Sequence, residues 1–68
     1  MNDKQANGII YILMKPGTTD FRFYQKDGKS FVEVPAGTRV VPTNGGWQLH
    51  GPDGSSAALD GRPVILAQ

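Results

Sequence analysis

The dipeptide Asp27-Gly28, set between two runs that alternate apolar and polar residues, constrains this chain more than any other feature. Phe21-Arg22-Phe23-Tyr24-Gln25 precedes it and Ser30-Phe31-Val32-Glu33-Val34 follows it. A type I′ two-residue hairpin loop needs positive φ at both central positions, which Asp-Gly tolerates, and its twist matches that of the flanking strands. The loop also sets the register. Tyr24 faces Phe31, Phe23 faces Val32, Arg22 faces Glu33 and Phe21 faces Val34. A slip of one residue would exchange the two faces of the hairpin, so loop and pattern constrain each other.

The same punctuation recurs along the 68 residues, which include 9 Gly and 5 Pro. Short apolar or alternating runs lie between these breakers, the pattern of an all-β protein. Residues 9–14 form the first run, closed by Pro16-Gly17, a pair suited to a type II turn. Pro35-Ala36-Gly37 reads as a three-residue hairpin loop that pairs Glu33 with Arg39, Val32 with Val40 and Phe31 with Val41. Asn44-Gly45 reads as a second two-residue loop, pairing Arg39 with His50, Val40 with Leu49, Val41 with Gln48 and Pro42 with Trp47. Together the three loops predict one antiparallel meander with Phe23, Val32, Val40 and Leu49 on its inner row.

After the turn cluster Gly51-Pro52-Asp53-Gly54, residues 55–59 are expected to form one helical turn, capped by Ser and stopped by Gly61. Residues 63–67 read as a last strand lying beside the first. The expected architecture is a small barrel or rolled antiparallel sheet of about six short strands, SH3-like or OB-like in size, with at most one helical turn. Residues 1–7 are polar and patternless and are expected to form a flexible arm. Residues 8–68 then make up a single small β domain.

Charge and chemistry narrow the function classes. Seven basic and six acidic residues leave a net charge of +1, which excludes an acidic nucleic-acid mimic and gives no general drive towards nucleic acid. There is no Cys, so thiol nucleophiles, Cys-based zinc sites and disulfides are excluded. His50 is the one histidine. Asp53, Ser55 and Ser56 follow it, but closeness on a turn is not triad geometry and there is no G-x-S-x-G nucleophile elbow. His50, Asp53 and Asp60 form the one local set of metal-ligand residue types, at no recognised zinc or calcium spacing. No enzymatic activity, cofactor or metal is therefore expected. The apolar run 9–14 is too short to span a membrane and no signal-cleavage pattern follows it, so a cytoplasmic protein with no membrane partner is expected.

What remains is binding. The outer face of the predicted meander gathers Arg22, Tyr24, Lys26, Lys29, Phe31, Arg39, Val41 and His50 as a partner-binding surface. The first run is apolar on both faces, which suits a strand covered on both sides, and Ile10, Ile12 and Met14 are its expected self-association face. The chain is thus expected to be a non-enzymatic module that docks onto a protein partner or assembles into a homo-oligomer. Its small size suits an accessory protein of a phage or mobile element, acting as an inhibitor of a host system or as a structural decoration component. The alternative is a small barrel that binds single-stranded nucleic acid by stacking bases on Tyr24 and Phe31 among Arg22, Arg39, Lys26 and Lys29. Glu33 in the middle of that face weighs against it.

Overall fold

The computed structural model describes residues 8–67, so the expected arm at 1–7 lies outside the described residues. The strands are β1 (Ile10–Lys15), β2 (Arg22–Lys26), β3 (Lys29–Pro35), β4 (Arg39–Thr43), β5 (Gly46–His50), β6 (Ser56–Leu59) and β7 (Val64–Ala67). They form a four-stranded sheet of order β2-β3-β1-β7 and a three-stranded sheet of order β4-β5-β6. The described residues are all-β, without a helix, and no strand ladder joins the two sheets into a closed barrel.

Both two-residue loops set the register that their sequences imply. Asp27 and Gly28 take φ values of 54° and 76°, and Arg22, Phe23 and Tyr24 pair with Glu33, Val32 and Phe31. The β4–β5 hairpin pairs Arg39 with His50, Val40 with Leu49, Val41 with Gln48 and Pro42 with Trp47. Its backbone differs from the expected mirror-image turn, because the positive φ falls on Gly46, at 153°. The Pro16-Gly17 turn forms as read, with Gly17 at φ 87° and the Thr18 N–H donating to the Lys15 carbonyl at 3.2 Å.

Pro35-Ala36-Gly37 behaves otherwise. The Thr38 N–H (3.2 Å) and hydroxyl (2.7 Å) both donate to the Pro35 carbonyl, and Gly37 sits at φ 91°. This is a type II turn, whose twist splays the flanking strands instead of pairing them. It serves as a corner that passes the chain from one sheet to the other. The pairs Glu33–Arg39, Val32–Val40 and Phe31–Val41 do not form. The free side of β3 is occupied by β1, in parallel, from Ile10 beside Ser30 to Lys15 beside Pro35. On its other side β1 holds β7, also in parallel. The last strand therefore lies beside the first as expected, but both ladders of β1 depart from the antiparallel pattern. In this central position β1 buries Ile10 and Ile12 on one face and leaves Tyr11 and Leu13 half-buried on the other.

The three-residue hairpin operates two turns later, at Pro52-Asp53-Gly54. The Gly51 N–H donates to the Ser55 carbonyl at 2.8 Å and the Gly54 N–H to the Gly51 carbonyl at 3.2 Å, with Gly54 at φ 95°. The Asp53 carboxylate accepts from the Ser55 hydroxyl (2.7 Å) and N–H (3.1 Å), and these bonds hold its carboxyl below the usual range. Closing this hairpin makes residues 56–59 a strand in place of the expected helical turn. Ala57 and Leu59 then point inward while Ser56 and Ala58 stay exposed.

The core lies between the sheets. Ile10, Ile12, Val32 and Val34 of the larger sheet meet Leu49 and Leu59 of the smaller. Trp47 packs against this cluster and its indole N–H donates to the Arg62 carbonyl at 3.0 Å, which ties the β6–β7 connection to β5. Ile10 and Ile12 are 4% and 0% exposed, and Met14 packs on the same cluster. The face expected to mediate self-association is thus the core face of β1. Val32, its in-register neighbour on β3, decides this, because neighbouring residues share one side of the sheet.

Candidate docking face

With Ile10, Ile12 and Met14 inside, alternation turns Tyr11 and Leu13 to the outside. Tyr11 lies beside Phe31 on β3 and Ile65 on β7, and Phe31 lies beside Tyr24 on β2. One row of the outer face therefore reads Tyr24, Phe31, Tyr11, Ile65 across all four strands. The next row reads Arg22, Glu33, Leu13, Ala67. Lys26 and Lys29 face each other at the hairpin end.

The rings form a ladder. Tyr24 and Phe31 stack at 5.2 Å between centroids and 16° between planes. Phe31 and Tyr11 are tilted at 5.4 Å and 32°. Flat rings lying edge to edge cannot bring their centroids so close, so these rings stand up from the sheet and lean against one another. The Arg22 guanidinium lies 5.0 Å from the Tyr24 centroid and the Lys29 ammonium 5.9 Å from that of Tyr11, both within cation–π range. Glu33 ties the rim together by accepting from Arg22 (3.4 Å) and from the Tyr24 hydroxyl (3.3 Å).

Partial burial, followed by the charge of Glu33 and its hydrogen bond, pushes the Tyr24 phenol above the ordinary tyrosine value, against an opposing pull from Arg22. A folded pKa raised above the unfolded one means that the native state keeps its proton longer. The associated stability is complete below the unfolded pKa and is lost as pH rises through the folded one. Glu33→Gln is expected to lower the Tyr24 pKa, read by ultraviolet-monitored titration with Tyr24→Phe identifying the signal. An unchanged titration would show that Glu33 does not contact the phenol.

The structure divides the set of residues that the sequence grouped as one surface. Arg22, Tyr24, Lys26, Lys29 and Phe31 come together on the larger sheet. Arg39, Val41 and His50 belong to the smaller sheet, where Val40 and Leu49 point into the core and turn them to the opposite side of the molecule. The rows Arg22-Glu33-Arg39-His50 and Tyr24-Phe31-Val41-Gln48 are therefore not continuous. Sequence reasoning missed Tyr11, Leu13 and Ile65. Their signal was present in the two-sided apolar runs, but it could be used only once the parallel register was known.

A cleft of about 390 Å³ opens where the sheets diverge beside β2, with Phe23, Ser30, Leu59, Asp60 and Arg62 among its lining residues. Phe23 faces inward yet is 54% exposed, because the smaller sheet does not extend over this edge. The Arg62 Nε lies 3.4 Å from an Asp60 carboxylate oxygen at an angle that makes no hydrogen bond. Among the described residues, no group of three or more His, Cys, Asp or Glu could hold a metal ion, and no helix is long and apolar enough to cross a membrane. Comparison of the chain with protein-family models, with curated proteins and with solved structures finds no match.

Proposed function

We propose that this chain is a non-enzymatic binding module that docks onto a protein partner through the outer face of the β2-β3-β1-β7 sheet. The observation that carries the reading is the contrast between the two outer faces. On the smaller sheet Gln48 separates the outward Val41 and Ala58, among Arg39, Thr43, His50 and Ser56, whereas Tyr24, Phe31, Tyr11, Leu13 and Ile65 form a continuous apolar band on the larger one. An apolar patch rimmed by charge, here Arg22, Lys26, Lys29 and Glu33, is the composition of a protein-binding surface, with aromatic anchors at its centre.

The stacked ladder favours protein over single-stranded nucleic acid. Base stacking needs free ring faces, and here each ring leans on a neighbour, with cations over Tyr24 and Tyr11. A protein surface can use the exposed ring edges and the charged rim without dismantling the ladder. The small size of the domain suits an accessory protein of a phage or mobile element, as an inhibitor or a structural component.

The test is to capture a binding partner on the immobilised chain, identify it, purify it and titrate it. Phe31→Ala is expected to weaken the purified pair at least about tenfold, and Val41→Ala, on the opposite side, to change it by less than about twofold. Equal losses from both variants would remove the assignment of the face. Binding of a single-stranded oligonucleotide that falls steeply with salt and is abolished by Phe31→Ala would overturn the protein reading in favour of nucleic acid.

A further inference from the structure

Among the described residues no strand pairs with the far side of β7, and this open edge differs from the other edges of the fold. β2 carries Arg22 and Lys26, and β4 carries Arg39 and Pro42, the residue types that keep edge strands from pairing with other chains. β6 has no large exposed apolar side chain. Val64-Ile65-Leu66-Ala67 contains neither charge nor proline. Ile65 is 43% and Leu66 61% exposed, and alternation places them on opposite faces of the sheet. A partner lying on either face would cover one of them and leave the other in water. Only a strand added in the plane of the sheet covers both.

The backbone of β7 is also set for such an addition. The Ile10 N–H donates to the Pro63 carbonyl at 2.9 Å, and Ile10 and Val64 are register partners. In a parallel ladder of this phase, alternate residues of β7 bond to β1. The N–H and C=O groups of Val64 and Leu66 consequently point away from β1, to the open edge.

We infer that β7 is a self-pairing edge, where a second copy of this chain adds its own β7 antiparallel across a two-fold axis that passes between the two Ile65 residues. Side-chain direction and hydrogen bonding agree on that register. Ile65 then meets its copy on the outer face as a non-hydrogen-bonded pair. Val64 meets the copy's Leu66 on the inner face as a hydrogen-bonded pair, using the open backbone groups of both residues. The outer face of one copy continues into the outer face of the other, so the two aromatic ladders join in one band. A second copy fits this edge because its apolar side chains meet apolar partners and no like charges oppose one another. Self-pairing at β2 would instead bring Arg22 and Lys26 against the same cations of the copy. A strand this short makes a small contact, so a readily dissociating dimer is expected.

The test combines solution mass with hydrogen exchange on the full chain over a dilution series. Dimer at high concentration and monomer on dilution are expected, with protection of the Val64 and Leu66 amides rising with concentration. Leu66→Pro removes an N–H that faces the open edge and leaves the bonds to β1 in place, and Ile65→Lys sets two like charges on the axis. Each is expected to weaken the dimer at least about tenfold while leaving the thermal midpoint of the dilute protein close to that of the parent. If Leu66→Pro fails to fold, Ile65→Lys and the exchange pattern of the parent protein carry the test. A monomer at every concentration would overturn the inference. So would a dimer that leaves the Val64 and Leu66 amides unprotected, or one broken by Phe31→Ala and untouched by Ile65→Lys.

Discussion

Gly46→Ala is expected to leave the protein largely unfolded at room temperature, or to lower its melting temperature by about 12 °C or more. Gly46 opens β5 at φ +153°, and a Cβ there would collide with the Leu59 carbonyl oxygen and with the carbonyl carbon and oxygen of Asp60. These are backbone atoms at the end of β6, held by the β5–β6 ladder, in which Trp47 pairs with Leu59. They cannot step aside as a flexible side chain would. The alanine variant must either open that ladder at its first residue or force a strained φ, and a cost of about 3 kcal/mol or more follows. A chain of this length has a total stability of roughly 3–10 kcal/mol, and each kcal/mol moves the midpoint of a small domain by about 4–8 °C. The neighbouring Gly45→Ala is the internal control. Nothing lies within 4 Å of its Cβ and its φ is not in the left-handed region, so a change within about 0.5 kcal/mol is expected. Thermal unfolding of the two variants side by side decides the matter. Equal midpoints would mean that the start of β5 does not approach residues 59 and 60 in solution.

Ile12→Ala carries the second largest effect. Ile12 is fully buried between Val32 and the residues of the smaller sheet, and truncating such a side chain typically costs about 2–5 kcal/mol through lost burial and a residual cavity. Tyr11, next to it in sequence, points the other way. Tyr11→Ala is expected to destabilise less and to weaken partner binding, since it removes one end of the aromatic ladder. Denaturant melts and partner titration of both variants separate the two faces of β1. A stable Ile12→Ala protein that had lost only self-association would return that face to the surface and overturn the assigned inside of the molecule.

These two substitutions also show where sequence and structure part. Local turn chemistry was readable. Asp27-Gly28 and Asn44-Gly45 each connect two alternating strands, and the pairings Tyr24–Phe31 and Val40–Leu49 follow from loop length and the period of two. Tyr24, Phe31, Arg22, Lys26 and Lys29 could be grouped in advance for the same reason, since they all lie on one hairpin whose register is local.

The rest of the surface was not readable. Pro35-Ala36-Gly37 and Pro52-Asp53-Gly54 share a Pro-x-Gly pattern, yet the first makes a corner between sheets and the second a hairpin. Nothing within three residues decides between these outcomes. The difference lies in what occupies the far side of β3, and that is β1, some twenty residues earlier in the chain. The apolar alternation of β1 was plain, with Ile10, Ile12 and Met14 on one side and Tyr11 and Leu13 on the other. Which side faces in depends on the parallel register beside Val32, a contact that no turn in the sequence specifies.

The strand class and the two Asn/Asp-Gly hairpins were legible in the sequence because each depends on neighbours a few residues apart, and the small net charge because it is a sum over composition. Only the tertiary structure decided the sheet order, the inward face of β1, the division of the charged residues between opposite sides and the exposed edge at β7. Those features arise from long-range parallel pairing, where strands distant in sequence compete for the same open edge and no local turn specifies which of them takes it.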